Sequence, residues 1–326
     1  MVRIMRALYA AEPNAEEPLT GATVGERPDP ATREGWSTVE VRAASLNHHD
    51  LWTLRGVGIK PEQFPMILGC DAAGIDTATG AEVVVHAVIA SEGWVGDETE
   101  DPRRSLLSER HQGSIAKYVT VPTRNLVPKP AELSFEQAAC LPTAWLTAYR
   151  MLFVKSGLKP GQTVLIQGAS GGVATAAAAL ARVAGFRVWV TGRSEAKRAA
   201  AVTMGAHAAF EPGARLPERV DAVIETVGAA TWSHSLKSLR PGGQLIVSGA
   251  TSGADPNADL NRVFFLQLQV IGSTMGTRSE LVDLLALMVN TGLRPTIDRT
   301  LPLTDAVAGL RAMEAGELIG KIVIKP

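Results

Sequence analysis

The 326-residue sequence predicts an α/β fold: a doubly wound parallel sheet joined to a second, β-rich domain. Three observations predict it. In the second half, the short β-branched runs QTVLIQG, FRVWVTG, VDAVIETVG and GGQLIVSGA alternate with alanine-rich helical segments. Parallel strands covered by helices on both faces have this pattern. In the first third, STVEVRAAS (37–45) alternates as a half-buried strand does, AEVVVHAVIA (81–90) reads as another, and glycines and prolines mark turns between them. Finally, the chain is longer than most single cores, and its 46% hydrophobic content is enough to fill two.

Taken in order, residues 91–112, SEGWVGDETEDPRRSLLSERHQ, are charged without an apolar period and read as a surface loop. Ser134 opens a helix with Glu136 and Gln137 in its first turn, and Gly157 closes it. LQVIGSTMGT reads as the last strand of the sheet, and the tail ELIGKIVIKP is again strand-like. No internal repeat is visible.

Composition excludes several classes. Thirty-two basic and thirty-three acidic residues leave a net charge of -1, with no basic block to follow a phosphate backbone, so nucleic acid is not an expected partner. MVRIMRALYAAEPN has no apolar signal-peptide core, and the small-residue stretch GGVATAAAALARVAG is interrupted by Arg182, so a soluble, cytoplasmic protein with no membrane segment is expected. Cys70 and Cys140 are too few for a disulfide framework or a four-thiolate zinc knot.

TVLIQGASGGVATAAAALARVAG (163–185) runs a buried strand into a glycine-rich turn and then a helix. A dinucleotide pyrophosphate needs backbone amides at close range and a helix N-terminus aimed at it, which side chains larger than hydrogen would obstruct. Gly168, Ser170, Gly171, Gly172 and Val173 are therefore candidate cofactor contacts. The spacing departs from G-x-G-x-x-G, with Ala169 in one slot and Ala174 at the close-packing position. About twenty residues further on, where an NAD enzyme places a carboxylate on the ribose, stand Gly192, Arg193 and Ser194, with Lys197 one turn later. A guanidinium, a hydroxyl and an ammonium suit a 2'-phosphate, so the cofactor read here is NADP(H). Ser194 can also cap the next helix.

SLNHHDLWTLRG (45–56) places two of six histidines side by side. Helical neighbours point about 100° apart, so His48 and His49 do not share a metal from one helix. Asn47 can cap this helix, and Asp50 at its third position can reach back. A cluster of either histidine with Cys70 and Asp71 is left open.

The order of parts resembles the medium-chain dehydrogenase/reductase superfamily, on LNHHDLW, LGCDAAG, ACLPTAWLTAYRML, GASGGVA, TGRSEAK, IETVG, PGGQLIVSGA and VIGSTMGT. It is most similar to the zinc-free quinone oxidoreductase and alkene reductase branch. The resemblance implies a GroES-like substrate domain (1–130), a Rossmann domain binding NADP(H) (131–275) and a return to the substrate domain (276–326). It also implies a homodimer joined through the last strand of the sheet. In the zinc-bearing branch the ligand positions match Asn47, Cys70 with Asp71, and a residue at about Thr143, and the structural-zinc loop matches residues 91–112, which lack cysteine. No metal is therefore expected.

The resemblance also places Asn47 and Thr147 beside the nicotinamide, with Thr143 in the same cofactor set, and Gly249, Ala250 and Thr251 at the carboxyl edge of the sheet. Phe264 and Phe265 are read as core, with a pocket-shaping role as the alternative. Trp52 replaces a tyrosine that is a possible proton donor in some members. The candidate catalytic set is Asn47, His48, His49 and Asp50. Asn47 is expected to donate a hydrogen bond to a developing enolate, and either histidine to supply a proton. The activity implied is NADPH-dependent reduction of quinones or of the C=C bond of α,β-unsaturated carbonyl compounds. The alternatives are a zinc-type alcohol dehydrogenase with altered ligands and a non-catalytic NADPH-binding sensor or structural protein.

Overall fold

Six parallel strands form the sheet that the glycine-rich segment enters. In the computed structural model, which describes residues 3–326, they are Thr163–Ile166, Arg187–Thr191, Ala208–Phe210, Val220–Glu225, Leu239–Val247 and Gln269–Gly272. Counted along the chain, their spatial order is 3-2-1-4-5-6, every neighbouring pair parallel. This is the doubly wound dinucleotide-binding order, whose ligand crevice opens where the first and fourth strands diverge. All four residues of Thr163–Ile166 are buried, as a central parallel strand requires. Leu165, Val223, Leu236, Leu245 and Leu268 form the core of this unit, which spans Trp145–Met275.

The other unit comprises residues up to Ala144 together with Gly276–Pro326. Its largest sheet is built on Trp36–Ser45, where Ser37, Val39 and Val41 alternate inward. Asp71–Asp76 pairs antiparallel with one part of that strand, bringing Asp71 opposite Ser45. Lys321–Lys325 pairs antiparallel with its end, Val323 opposite Ser45, and parallel with Ile297–Pro302. The strand-like tail thereby reaches the start of the helix His48–Leu54, where Leu46 N donates to Ile322 O (3.0 Å).

Several sequence expectations are corrected. The helix from Ser134 begins as read, with Ser134 Oγ accepting from Gln137 N (3.2 Å) and Gln137 Oε1 accepting from Ser134 N (3.0 Å). It is not one α-helix, however. The α-helical turns Phe135–Ala139 and Leu146–Tyr149 alternate with the wider π turns Leu141–Trp145 and Arg150–Lys155 before Gly157 ends the run at φ +59°. Pro142 has no N–H to continue the ladder, which accounts for the first wide turn. The units divide inside this segment, between Ala144 and Trp145: the helix Phe135–Ala139, which buries Ala138 and Ala139, packs on Trp36–Ser45 and Asp71–Asp76.

Segment 91–112 is irregular but not simply a surface loop. Thr99, Asp101, Ser105, Leu107 and Ser108 are buried, and Asp101 accepts from Ser91 N (2.6 Å) and Arg103 N (2.8 Å). The run 81–90 breaks into Glu82–Val85 and Val88–Ile89, because the Asn125 amide donates to His86 O (2.9 Å) and Val88 O (2.7 Å). Phe264 and Phe265 are not core: they are 68% and 79% exposed on the short helix Leu260–Phe265.

Candidate active site

The sequence-predicted residues fall into two groups, one in each unit. In the parallel-sheet unit, Gly168 follows the first strand at φ +94°, a left-handed conformation that a side chain would strain. Its N–H donates to Thr191 Oγ1 (3.2 Å), which in turn donates to Gln167 Oε1 (2.7 Å). Gln167 Nε2 donates to Ser235 Oγ (3.0 Å) and to His234 Nδ1 (2.9 Å), so the floor of the turn is tied down from below. Gly171 is the N-cap of the helix Gly172–Val183, which no side chain caps. A Cβ built on Gly171 would meet nothing within 4 Å. The uncapped amides and the positive end of the helix thus face open space, a ready anion site. Ser170, Gly172 and Val173 are half-buried around it.

After the second strand, Gly192 is buried, Arg193 and Ser194 are exposed, and Lys197 is half-buried. Ser194 Oγ accepts from Lys197 N (3.3 Å), so it does cap the helix Glu195–Thr203. Sequence reading missed Arg198, which donates to Gly192 O (2.7 Å) and pairs with Glu211 (3.3 Å), fixing the turn that presents Arg193. Gly249 and Ala250 are half-buried and Thr251 exposed, in the loop after Leu239–Val247. This loop rests on the turn after Glu225: Ser252 N donates to Val227 O (2.7 Å) and Ala229 N to Gly253 O (3.0 Å). Thr147 is buried in its helical turn.

The β-rich unit holds the other group. Thr143 belongs to it, and the buried Thr143 Oγ1 has no hydrogen-bond partner among the described residues. Asn47 stands at the N-cap of His48–Leu54, and Asp50 reaches back as expected, its Oδ2 accepting from Asn47 N (2.8 Å). Its Oδ1 accepts from Gly69 N (2.9 Å). The Asn47 amide, however, turns inward. Its nitrogen donates to Asp71 Oδ2 (2.8 Å) and Ser45 O (3.3 Å), while its oxygen accepts from Lys321 Nζ (2.5 Å). With both N–H groups engaged, Asn47 has no donor left for an enolate, which corrects the role read from the sequence.

Lys321 was not foreseen. A lysine inside the apolar run IGKIVI is the sequence sign that could have marked it.

The two histidines separate. His48 is exposed, and crowding by protein, then the nearby Lys321 and Arg55 cations, hold its pKa below the usual 6.5. His49 is half-buried between Cys70 Sγ (3.2 Å from Nδ1) and Glu109 Oε1 (3.1 Å from Nε2). Burial opposes its charge, but Cys70, Glu109 and Asp50 outweigh burial and raise its pKa well above 6.5. Burial pushes the Cys70 thiol up, with His49 pulling partly against it. Both ring nitrogens are engaged, Nδ1 with Cys70 Sγ and Nε2 with Glu109, and the thiol donates to Leu107 O (3.3 Å). Burial raises Asp50 to about 6, above the 3.8 of a free carboxyl.

A pH dependence follows. A raised imidazole pKa stabilises the fold fully below pH 6.5, and this contribution is lost as pH rises through the raised value. Asp50 has the same sign, but its loss is complete near its own value of about 6. The melting temperature is therefore expected to fall above pH 6.5 in the native chain, with a flatter profile in His49→Gln. Calorimetry across that range checks it, and parallel slopes would count against the ion pair.

An open sheet of this strand order, with an uncapped glycine-lined helix start, defines a dinucleotide-binding protein. Two family models match: the alcohol dehydrogenase GroES-like domain over residues 33–131 and the zinc-binding dehydrogenase over residues 172–290. A zinc-type alcohol dehydrogenase-like protein of Schizosaccharomyces pombe is 30% identical, over 88% of this chain and 90% of that protein. An acryloyl-coenzyme A reductase of Sulfurisphaera tokodaii is 28% identical, over 95% of this chain and 98% of that protein. The solved structure of an NAD-dependent alcohol dehydrogenase superposes with a TM-score of 0.91 at 31% identity, covering 99% of this chain and 100% of that one. The chain belongs to the medium-chain dehydrogenase/reductase superfamily.

The metal in the second model's name does not fit the residues present. Zinc takes deprotonated sulfur, imidazole nitrogen or carboxylate oxygen in a tetrahedron. Here Asn47 Oδ1 and Asp71 Oδ2 are already on the Lys321 ammonium, and Cys70 Sγ lies between His49 and a carbonyl. No group of three or more His, Cys, Asp or Glu among the described residues is placed to hold a metal ion. Nor is any helix among them long and apolar enough to cross a membrane.

Proposed function

We propose that this protein is an NADPH-dependent oxidoreductase that reduces the C=C bond of α,β-unsaturated carbonyl compounds, or quinones, by hydride transfer without zinc. The observation that carries the reading is the Lys321 ammonium on Asn47 and Asp71, with no set of metal ligands around it. A chain with that arrangement needs an acceptor that conjugation has already made electron-poor at carbon, because no bound ion polarises its oxygen. NADPH, when bound, supplies the hydride. The likeness to an acryloyl-coenzyme A reductase supports an enoyl acceptor and makes enoyl thioesters one class to test.

The residues of this chain divide the remaining work. Gly168, Ser170, Gly171, Gly172 and Val173 receive the pyrophosphate, and Arg193, Ser194 and Lys197 the 2'-phosphate. Gly249, Ala250 and Thr251, with Thr147 of the same unit, would hold the nicotinamide half. Asn47 and Asp50 set the start of the helix that carries the histidines. His48, exposed and neutral at pH 7, is the imidazole open to exchange protons with an acceptor, whereas both ring nitrogens of His49 are engaged. The edge strand Gln269–Gly272 has neighbours on one side only and is the surface through which two copies pair in a homodimer. Two free thiols suit a reducing cytoplasm.

The deciding experiment measures NADPH consumption with quinones, enones, enals and enoyl thioesters, with zinc content determined on the same batch. Turnover of an enone, quinone or enoyl thioester by metal-free protein is expected. Alcohol oxidation dependent on stoichiometric zinc would overturn the reading, and tight NADPH binding without any turnover would favour a sensor.

Cofactor choice has its own test. Removing one guanidinium from a phosphate costs about 1.5–3 kcal/mol. Arg193→Ala is therefore expected to weaken NADPH roughly tenfold to a hundredfold while leaving NADH unchanged. Equal losses in fluorescence titrations would refute the assignment.

A further inference from the structure

Lys321 and Asp71 form a salt bridge with almost no access to solvent: the lysine is 3% exposed and the aspartate 0%. An ammonium has three protons to place, and here it has three acceptors: Leu46 O (2.6 Å), Asn47 Oδ1 (2.5 Å) and Asp71 Oδ2 (3.3 Å). Asp71 Oδ2 in turn accepts from Ser45 Oγ (2.6 Å) and Asn47 Nδ2 (2.8 Å). The cluster is electrically balanced, one cation against one anion, and every bond to the carboxylate falls on Oδ2, leaving Asp71 Oδ1 buried without a hydrogen-bond partner among the described residues. It ties together three pieces of chain distant in sequence: the start of the helix at Asn47, the strand beginning at Asp71 and the strand beginning at Lys321.

A bound metal ion draws ligands from separate elements toward one positive charge and fixes their rotamers. The same two side chains, Asn47 and Asp71, are drawn here toward a positive charge that is covalently part of the chain. We propose that the Lys321 ammonium is a built-in cation that does the positioning work of a metal ion at this place, and that it keeps a divalent ion out by its charge and by holding Asn47 Oδ1 and Asp71 Oδ2. Lys321 is thus a positioning residue that acts through Asn47 and Asp71. Entry of a divalent ion beside it would set three positive charges, two on the ion and one on the ammonium, against one carboxylate in a dry site.

The test needs no acceptor, so it stands apart from the reaction proposed above. Wild-type protein is dialysed against zinc, freed of excess and assayed for bound metal and melting temperature; no stoichiometric zinc and no shift are expected. Lys321→Ala leaves the Asp71 carboxylate buried and unpaired, so its melting temperature is expected to fall by on the order of 10 °C. Ethylammonium chloride, which can refill the space with an N–H cation, is expected to restore part of that loss. Choline chloride, which has no N–H, is not.

Where Lys321→Ala does not fold, Lys321→Met/Asp71→Asn decides, because it removes both charges; it is expected to fold. Stoichiometric zinc that stabilises the wild type, an unshifted Lys321→Ala, equal effects of the two ammonium salts, or a double variant that also fails to fold would each overturn the proposal.

Discussion

Gly171→Asp is expected to abolish NADPH binding while leaving the fold intact or slightly firmer. The two effects arise from the same atom positions. Gly171 is the N-cap of Gly172–Val183, its φ is -69°, and a Cβ there would enter open space, so aspartate fits without strain. Aspartate is among the best N-caps, and replacing a glycine N-cap by one stabilises a helix by roughly a few tenths of a kcal/mol. Its carboxylate would take the first-turn amides for itself, however, and hold a negative charge where the pyrophosphate must lie.

Two like charges about 4 Å apart near a protein surface repel by about 4 kcal/mol, which alone weakens binding roughly a thousandfold. Calorimetry should show an equal or raised melting temperature, and fluorescence titration no saturable NADPH binding. A variant that still bound the cofactor would place the pyrophosphate elsewhere. Gly171→Ala separates bulk from charge, since a methyl group enters the same space without competing for the amides. A much smaller loss is expected from it.

This cradle was legible in the sequence because each part of it is local. A strand, a glycine turn and an alanine-rich helix follow one another within residues 163–185, and the basic residues after the second strand follow at a fixed interval. The β-rich unit was less legible for the opposite reason. Asn47 was read as a helix cap and a donor to substrate, and its cap position and the return bond from Asp50 are indeed local features. The direction of its amide is decided by Lys321, which arrives on a strand from the far end of the sequence. His49 met the same limit: its partners Cys70 and Glu109 come from distant segments, and adjacency to His48 said nothing about them. The π turns around Leu146–Tyr149 also escaped, since residue spacing predicts a helix but not its pitch, which Pro142 widens in the first of them. Phe264 and Phe265 were misplaced because hydrophobicity alone does not say which apolar residues of a short helix stay uncovered.

Glu225→Ala should do the largest damage to stability in the parallel-sheet unit. Glu225 is fully buried at the end of the fourth strand, and its carboxylate is the acceptor for four groups. Oε1 accepts from Val227 N (2.8 Å) and Gly228 N (3.0 Å), Thr231 Oγ1 lies 2.9 Å from both oxygens, and Oε2 accepts from Ser235 Oγ (2.6 Å). Alanine leaves these donors facing a cavity, at a cost on the order of 4 kcal/mol, or a fall of about 10 °C in melting temperature.

The damage should reach the cofactor as well. Gly228, at φ +91°, sits so close to Ala250 and Gly253 that a Cβ would collide with both, and Val227 O holds Ser252 N. A turn that loses its carboxylate anchor therefore loosens the loop bearing Gly249, Ala250 and Thr251, and NADPH affinity should fall about tenfold, the usual scale for a lost supporting contact. Glu225→Gln distinguishes the anchor from mere volume. Its amide oxygen can still accept from the two backbone N–H groups, and the hydroxyls of Thr231 and Ser235 can rotate to accept from its nitrogen. Glutamine should thus recover most of the melting temperature and of the affinity. Equal losses in both variants would mean that the negative charge itself, rather than the geometry of its acceptors, holds the turn.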